Sequence, residues 1–586
     1  MIKKFILSFC FAAVFSFAQS YDLPIMFVDT KAQCLDYKNT EKIPATMLPA
    51  TMRVLDGAVN NVADSANGKL YDIGIKIRGH ESARFPKPGY SVEIRDSQGK
   101  GVDVSLFGLP PSDDWIFHGP YVDKSLMRNS LAHWLFRQTG RYSPRTRHFD
   151  LYINGMYRGV YVLIEKIKRG KYRVDVDKLK ETDVSGDDVT GSYIWSIDKV
   201  KSAPGGKAIN DDGFTTSDGL DVFLRYPKKT KIQPEQEEYL KNYLNNLESL
   251  AKNDSNGFKY EKYVDVASAV DYVLHEEMMD NIDAYTSAFF FYKQKESNGG
   301  KVNFGPPWDF NLALNNVFEP KNSEMNSVGF GGKSGWRIEE IAKMNQSILM
   351  TNFGSPLTPT WFIQMWKDAD YQSELKKRWA ELRSGVWHTN TLDAYLDSMK
   401  TYLKNAADRN FKRWPNLGKI SGECDEDPEP MKNCERISSC NASAVMSIGG
   451  NNADTWDGEV EYLRKKMKER IAWMDEQLGF TEPAVPIVTE PVIHDPDWQK
   501  DEKVDSIPKE IAIDDFGRLT PMNFIVVNGN RIDVQTDIGG DFALVDLNGV
   551  VLYKTRIKTG LTTLMLPSKA KSRRWIATLN GKMLSK

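Results

Sequence analysis

The sequence is short of the residues that mark several common site types. It has only seven histidines and five cysteines in 586 residues. Its formal net charge is −2, which excludes a whole-chain electrostatic attraction to nucleic acid or anionic membranes. Beyond the first eighteen residues no apolar run approaches the ~20 residues needed to cross a bilayer. No period of 20–50 residues recurs, so repeat architectures are excluded. "HEEMMD", beginning at His275, has Met279 where a zinc-protease helix needs its second histidine. "SVGFGGKSG", beginning at Ser327, ends like a phosphate loop. It lacks the first glycine, and no strand leads into it.

The cysteines have a pattern. Cys10 lies in the leader, and Cys34, Cys424, Cys434 and Cys440 follow it. An even count in an exported chain predicts two disulfides, with three connectivities open. A zinc site at the 424–440 loop is the alternative, but no histidine lies near that loop.

What is present begins with "MIKKFILSFCFAAVFSFAQS". Lys3 and Lys4 precede an apolar stretch, and Ser16 and Ala18 supply small residues for cleavage. This is the pattern of a secretory signal, cut after Ala18. A membrane anchor is the alternative, with an apolar stretch shorter than the ~20 residues needed to span a bilayer. The mature chain is expected to be exported, to the medium or the cell surface, with no transmembrane segment.

Short alternating runs across residues 22–100 predict strands. "DKSLMRNSLAHWLFRQT" predicts a helix over 123–139, with Asp123 or Ser125 as its cap. "HFDLYING" and "YRGVYVLIEKI" read as a hairpin turning at Asn-Gly. Residues 235–285 read as helical, with Asp265 capping a helix over 265–283. "AFFFYKQ", "KESNGG" and "KVNFG" then form a hairpin. Residues 356–480 are helical, ending in a face of Val460, Leu463, Met467, Ile471, Met474 and Leu478 before Gly479. The proline-rich stretch 481–510 reads as a linker, and 511–586 as a small all-β module.

Two carboxylates stand out. Asp283 precedes the second hairpin, and Asp309 of "GPPWDFNLALNN" follows it. A hairpin returns the chain to near its start, so both can face one cleft. Two convergent carboxylates suit a divalent cation, and with phosphates present Mg²⁺ needs only one or two of them. Two solvated loop aspartates are the plain alternative. A glycosidase pair has nothing but the carboxylates in its favour. A further hairpin, "IKIRGHESARFPKPGYSVEIRD", carries Arg78, Gly79 and Lys87 near its tip, where cations can cover phosphates. A basic surface hairpin is the alternative there.

In this order, "IKIRGHESARFPKPGYSVEI", "DDWIFHGPYVDKSLMRNSLA", "YRGVYVLIEKI", "NIDAYTSAFFFYK" and "GPPWDFNLA" resemble the CotH-like family, named for spore coat protein H. The resemblance covers about residues 22–330. It implies an atypical secreted protein kinase that uses ATP and Mg²⁺ (or Mn²⁺) to phosphorylate Ser or Thr of a protein acceptor. The implied fold is α+β: a kinase-like two-lobe domain over 19–340, and a helical extension over 341–480. The resemblance makes Asp309 a metal-binding aspartate and Asp283 a second catalytic or metal-binding one. Arg78 and Lys87 become phosphate contacts. Glu165 falls where a kinase cleft meets the adenine, or forms a structural ion pair. Trp308 stacks on the base, or is core.

The sequence departs from the family pattern. Ala288 stands where members often carry Asn or Ser, Asn311 stands where many have a second Asp, and the 123–139 helix offers no Glu to a phosphate-binding lysine. These departures keep a second expectation open, a non-catalytic surface or scaffold protein of the same fold. Residues 511–586 resemble the sorting modules that direct proteins through type IX secretion to the cell surface, which implies an export partner. A plain adhesion-type module is the alternative.

Overall fold

The computed structural model describes residues 20–35, 47–79, 82–198, 212–253, 258–316, 335–346, 358–422, 425–430 and 453–484, and a set of strands between 512 and 583. The chain divides into two units, Met1–Pro496 and Asp497–Lys586. The division falls within the 481–510 stretch.

Beside the short strand pair Ser20–Tyr21 and Asn60–Asn61, the first unit begins with seven longer strands and one α-helix: β1 (Ile25–Asp29), β2 (Leu48–Leu55), β3 (Lys69–Arg78), β4 (Gly89–Arg95), β5 (Asp114–His118), α1 (Arg128–Arg137), β6 (Thr146–Ile153) and β7 (Met156–Glu165). The sheet lobe expected from the sequence is a closed barrel, in the order β1-β2-β3-β4-β5-β7-β6. Its closing pair is parallel, with Ile25 opposite Asp150. Alternation along each strand sends one set of side chains inward. Ile73, Ile75, Ile77, Val92, Ile94, Trp115, Phe117, Phe149, Leu151, Tyr161 and Leu163 fill the barrel. Burying each stabilises the fold by about 1.5–3 kcal/mol. Lys76, Arg78, Glu93, Asp114, Ile116 and His118 alternate with them and so belong to the outer face.

The helix predicted over 123–139 starts later, at Arg128. Leu126 takes a left-handed backbone (φ 67°), which interrupts any helix at that point. Asp123 still serves the helix start, from outside it. Its Oδ2 accepts the Arg128 N–H at 2.9 Å, and its Oδ1 accepts the Arg128 guanidinium at 2.7 Å.

A second sheet combines β8 (Tyr193–Ile197), β9 (Gly213–Thr215), β10 (Asp221–Tyr226), β11 (Phe289–Lys293) and β12 (Val302–Phe304) in the order β9-β10-β8-β11-β12. The β11–β12 hairpin is the one read from the sequence, with Phe291 opposite Phe304. The helical stretch 235–285 resolves into α2 (Pro234–Asn253) and α3 (Val266–Met278), with Asp265 accepting the Ser268 N–H as cap. α3 stops short of Asp283 because Asp280 turns left-handed (φ 43°).

α4 (Arg337–Gln346), α5 (Thr360–Trp366), α6 (Ala369–Ser384), α7 (Thr389–Arg413) and α8 (Trp456–Leu478) complete the unit. The six apolar residues expected on the last helix are all buried. α7 lies against β7. Gly159 is required there, because a Cβ would come within 2.6 Å of Asn410 Oδ1 and 2.9 Å of Trp414 Nε1. Arg409 reaches the barrel, pairing with the buried Asp150 at 2.7 Å. No described helix is long and apolar enough to cross a membrane. Cys34 packs against the barrel core. Cys424, Cys434 and Cys440 lie outside the described residues.

In the second unit, strands Phe524–Asn528, Arg531–Thr536 and Gly560–Met565 form one antiparallel sheet. Gly540–Asp546, Val551–Ile557, Trp575–Leu579 and Lys582–Met583 form another.

Candidate functional site

The site is built where the β11–β12 hairpin opens toward the barrel. Register places Phe289 and Phe304 toward its open end, where Gly305 N–H still donates to Phe290 O at 2.9 Å. Asp283 lies six residues before the first strand and Asp309 five after the second. Between residues 280 and 315 the backbone is left-handed at Asp280, Tyr285, Ala288, Asp309, Leu314 and Asn315. Each such residue costs about 1–3 kcal/mol, and such strain collects at functional sites.

Trp308 and Asp309 leave the hairpin in the direction of the barrel. The Trp308 ring is half-buried and packs against Ile116, Val162 and Ile164 on the outer barrel face. The Arg78 guanidinium lies 5.6 Å from its ring centre, and the His133 ring lies 5.8 Å away. The Asp309 side chain is exposed, and its backbone holds φ at 67°. Burial pushes the Arg78 guanidinium below its ordinary range, and the Asp309 charge acts in the opposite sense. Arg78 is thus a partly buried cation whose charge is stabilised by a neighbouring carboxylate.

Asn129 on α1 fixes the turn. Its Oδ1 accepts the Phe310 N–H at 2.9 Å, and its amide nitrogen lies 3.1 Å from His118 Nε2. Because Oδ1 is occupied by an N–H, the amide nitrogen donates, and His118 Nε2 must be the unprotonated nitrogen. Burial agrees with this, holding His118 down to about 4, so the ring is neutral.

Asp283 sits in a turn whose carbonyl accepts the Thr286 and Ser287 N–H groups at 3.2 and 3.1 Å. Its own N–H donates to Asn281 Oδ1 at 3.3 Å, and Asn281 Nδ2 donates to Glu276 Oε2 at 2.9 Å. Burial pushes Glu276 up to about 8, with Glu277 and Asp283 adding to the rise. Glu276 is therefore a neutral acid at pH 7, beneath the Asp283 turn. Ser287 Oγ donates to Asp198 at 3.0 Å, in the place next to Ala288.

Lys87 and Glu165 lie elsewhere. The Lys87 ammonium is buried, donates to Asn410 Oδ1 at 2.8 Å and lies 5.3 Å from the Tyr161 ring centre. Burial pushes it well below its ordinary range. Glu165 is fully buried. It accepts the Arg145 N–H at 3.0 Å, the Arg145 guanidinium at 3.1 Å and the Tyr142 hydroxyl at 3.2 Å, with Arg173 at 3.5 Å. These contacts use its oxygens in an ion-pair hub.

The structure thus brings Arg78, Trp308 and Asp309 together, sets Asp283 at the same hairpin end, and turns Lys87 toward α7. Asn129, His118, Asn281 and Glu276 were not singled out from the sequence. In the helix read over 123–139, Asn129 falls in the interior, where asparagine is disfavoured, and this was the available signal; in the structure it is the second residue of α1. Among the described residues no three His, Cys, Asp or Glu side chains group to hold a metal ion by themselves. Asp283 and Asp309 flank the open end of one hairpin.

A family model described as "CotH kinase protein" matches residues 75–474. The chain is also similar to the inner spore coat protein H of Bacillus subtilis (strain 168), 25% identical over 248 residues. That match covers 42% of this chain and 59% of the relative, less than two thirds of its length.

Proposed function

The chain belongs to the CotH kinase protein family, and on that premise we propose that it is an exported protein kinase that transfers the γ-phosphate of ATP to Ser or Thr of a protein acceptor. The observation that carries the reading is the meeting of Arg78, Trp308 and Asp309 at a left-handed turn pinned by Asn129. When bound, ATP with Mg²⁺ or Mn²⁺ supplies the phosphoryl group and the charge neutralisation typical of such transfers. Asp309, with Asp283, would hold the cation. Arg78 would hold a phosphate oxygen, its burial strengthening the pair. Trp308 offers a ring face between the barrel and the second sheet. Asp283 accepts the proton of the acceptor hydroxyl, and the Asn281–Glu276 link holds its turn in place. The hub at Glu165 braces the strand end behind Trp308.

The second reading is a non-catalytic surface or scaffold member. Lys87 favours it, because its ammonium is engaged by Asn410 and α1 offers no Glu to draw it into the cleft. Ala288 also favours it. The proposal includes signal cleavage after Ala18, two disulfides among Cys34, Cys424, Cys434 and Cys440, and export through the 511–586 module. Incubation of the mature chain with labelled ATP, Mg²⁺ or Mn²⁺ and a generic protein acceptor separates the readings. Label on the acceptor supports the kinase. ATP binding without transfer, or neither, supports the scaffold.

A further inference from the structure

Residues four apart on a helix share a face. Asn410 and Trp414 have this spacing at the end of α7, and both meet the barrel at β7. Asn410 Oδ1 accepts the Val160 N–H at 3.1 Å, and Trp414 Nε1 donates to Arg158 O at 2.8 Å. Gly159, between those two strand residues, is what lets α7 come this close.

The same end of α7 reaches two parts of the candidate site. One is the connection between β3 and β4. It leaves β3 at Arg78 and rejoins the sheet at Gly89, the residue opposite Arg78. Lys87, just before Gly89, donates to that same Asn410 Oδ1 at 2.8 Å. A buried ammonium needs such a partner, so the contact fixes the chain that carries it. Beside it Pro88 O accepts the Tyr161 hydroxyl at 3.1 Å, and Pro86 O accepts the Arg158 guanidinium at 3.2 Å. The Phe85 ring lies 5.9 Å from that of Tyr121, which meets Trp414 at 5.8 Å. The other part is the Asp309 turn. Leu312, in the same turn, packs on the cluster of Phe85, Tyr121, Val122 and Trp414. Arg78 and Asp309 thus arrive from distant parts of the sequence and are both referred to one helix end.

We infer that the end of α7 is the common footing of the candidate site, and that Lys87 and Asn410 are positioning residues that set Arg78 against Asp309. Lys87 serves the site from behind, through the start of β4 and its ladder to Arg78, and does not touch a phosphate. The effect on a nucleotide rests on the kinase reading; the footing itself does not.

The test uses the full mature chain and two readouts: hydrogen exchange of peptides covering 82–92 and 309–316, and titration with ATP and Mg²⁺. Asn410→Ala removes the shared acceptor, and exchange in both peptides is expected to rise about fivefold or more. Asn410→Asp keeps an acceptor oxygen and sets a carboxylate opposite the Lys87 ammonium, so exchange should return to within about twofold of the parent. Leu244→Ala opens a cavity in α2 against the second sheet. It is expected to lower the melting temperature and leave exchange in both peptides as it was. A rise in one peptide only, or an equal rise in Leu244→Ala, overturns the footing. Should Asn410→Ala fail to fold, Lys87→Met serves, with the same rise expected in both peptides and its absence overturning the footing. The titrations are read separately. Where the parent binds ATP, Asn410→Ala and Lys87→Met should each weaken binding about fivefold or more, and Asn410→Asp should restore it. Lost affinity in Lys87→Met with exchange unchanged makes Lys87 a direct ligand and overturns its positioning role. Unchanged affinity with raised exchange overturns the link to Arg78. A parent that binds no ATP removes the kinase reading, and the footing then stands or falls on exchange alone.

Discussion

Asn129 accepts the backbone N–H of Phe310 at 2.9 Å, so a helix of the barrel layer holds the residue that follows Asp309. The contact joins elements 181 residues apart in sequence and fixes a left-handed turn that the local chain does not favour. Asn129→Ala leaves that buried N–H without an acceptor, a loss of about 1–3 kcal/mol. The variant is expected to melt at a lower temperature and to bind ATP with Mg²⁺ at least tenfold more weakly. Asn129→Asp keeps the acceptor but sets a buried carboxylate against the unprotonated His118 Nε2, so its melting point should lie below the parent's and recover in part where acid protonates the ring. Calorimetric melting and titration of both variants check the order.

Asp309→Asn keeps the shape of the side chain and removes its charge. A folded variant that has lost metal-dependent ATP binding is expected. Asp283→Asn should reduce transfer by more than it reduces binding, because its proposed role lies mainly with the acceptor hydroxyl. Isothermal titration with ATP and Mg²⁺, beside a transfer assay, distinguishes them. Unchanged ATP affinity in Asp309→Asn would falsify the kinase reading of this turn.

Glu165→Gln is expected to act on stability. It leaves Arg145 and Arg173 buried without a counter-charge, at a loss on the order of 3–5 kcal/mol. Urea unfolding should show the midpoint shift. A small shift would mean that water reaches the hub.

Acid should weaken the fold through His118 and His148, both held down to about 4 by burial. Below an unfolded value near 6.5 the unfolded chain takes up protons that the folded chain refuses, so stability falls as pH drops from about 6.5 to about 4. Glu276, pushed up to about 8, has the opposite slope: its folded form keeps a proton from about 4.5 to about 8, so stability falls as pH rises through that range. Glu276→Gln should flatten the profile from about 6.5 to about 8 and steepen the acid loss between about 4.5 and about 6.5, where the two slopes oppose each other. Melting temperatures from pH 4 to 9 on both proteins read this directly.

The chain also divides at Pro496. A version ending there is expected to unfold cooperatively, with a melting point within about 2 °C of the corresponding transition in the full chain, because separate units have cores of their own. Aggregation would mean that the last strands complete the first unit.

The legible parts of this protein are its local ones. The β11–β12 hairpin was readable because its turn residues and both strands lie within sixteen residues, and Asp283 and Asp309 came with it. The α8 face was readable from periodicity alone. Lys87 was read beside Arg78 because the sequence sets them nine residues apart. Its partner Asn410 is 323 residues away, and no pattern near Lys87 announces it. β8 to β10 were not assigned, since "YIWSI" is buried throughout and shows no alternation. Barrel closure was hidden for the same reason as Asn410. It depends on which strands meet, and strand propensity does not encode that.

The parallel seam between β1 and β6 has a consequence for how the protein is made. Ile25 and Asp150 lie about 125 residues apart, and contacts of such long range form slowly. During synthesis, β1 emerges first and has β2 on one side only. Its other edge stays open until β6 arrives, and an open edge pairs readily with a wrong partner. The barrel therefore completes only after about residue 165 is available. A chain arrested before that point presents an unsealed sheet, ready prey for chaperones and proteases, while one released past it has no free edge in the barrel left to seize.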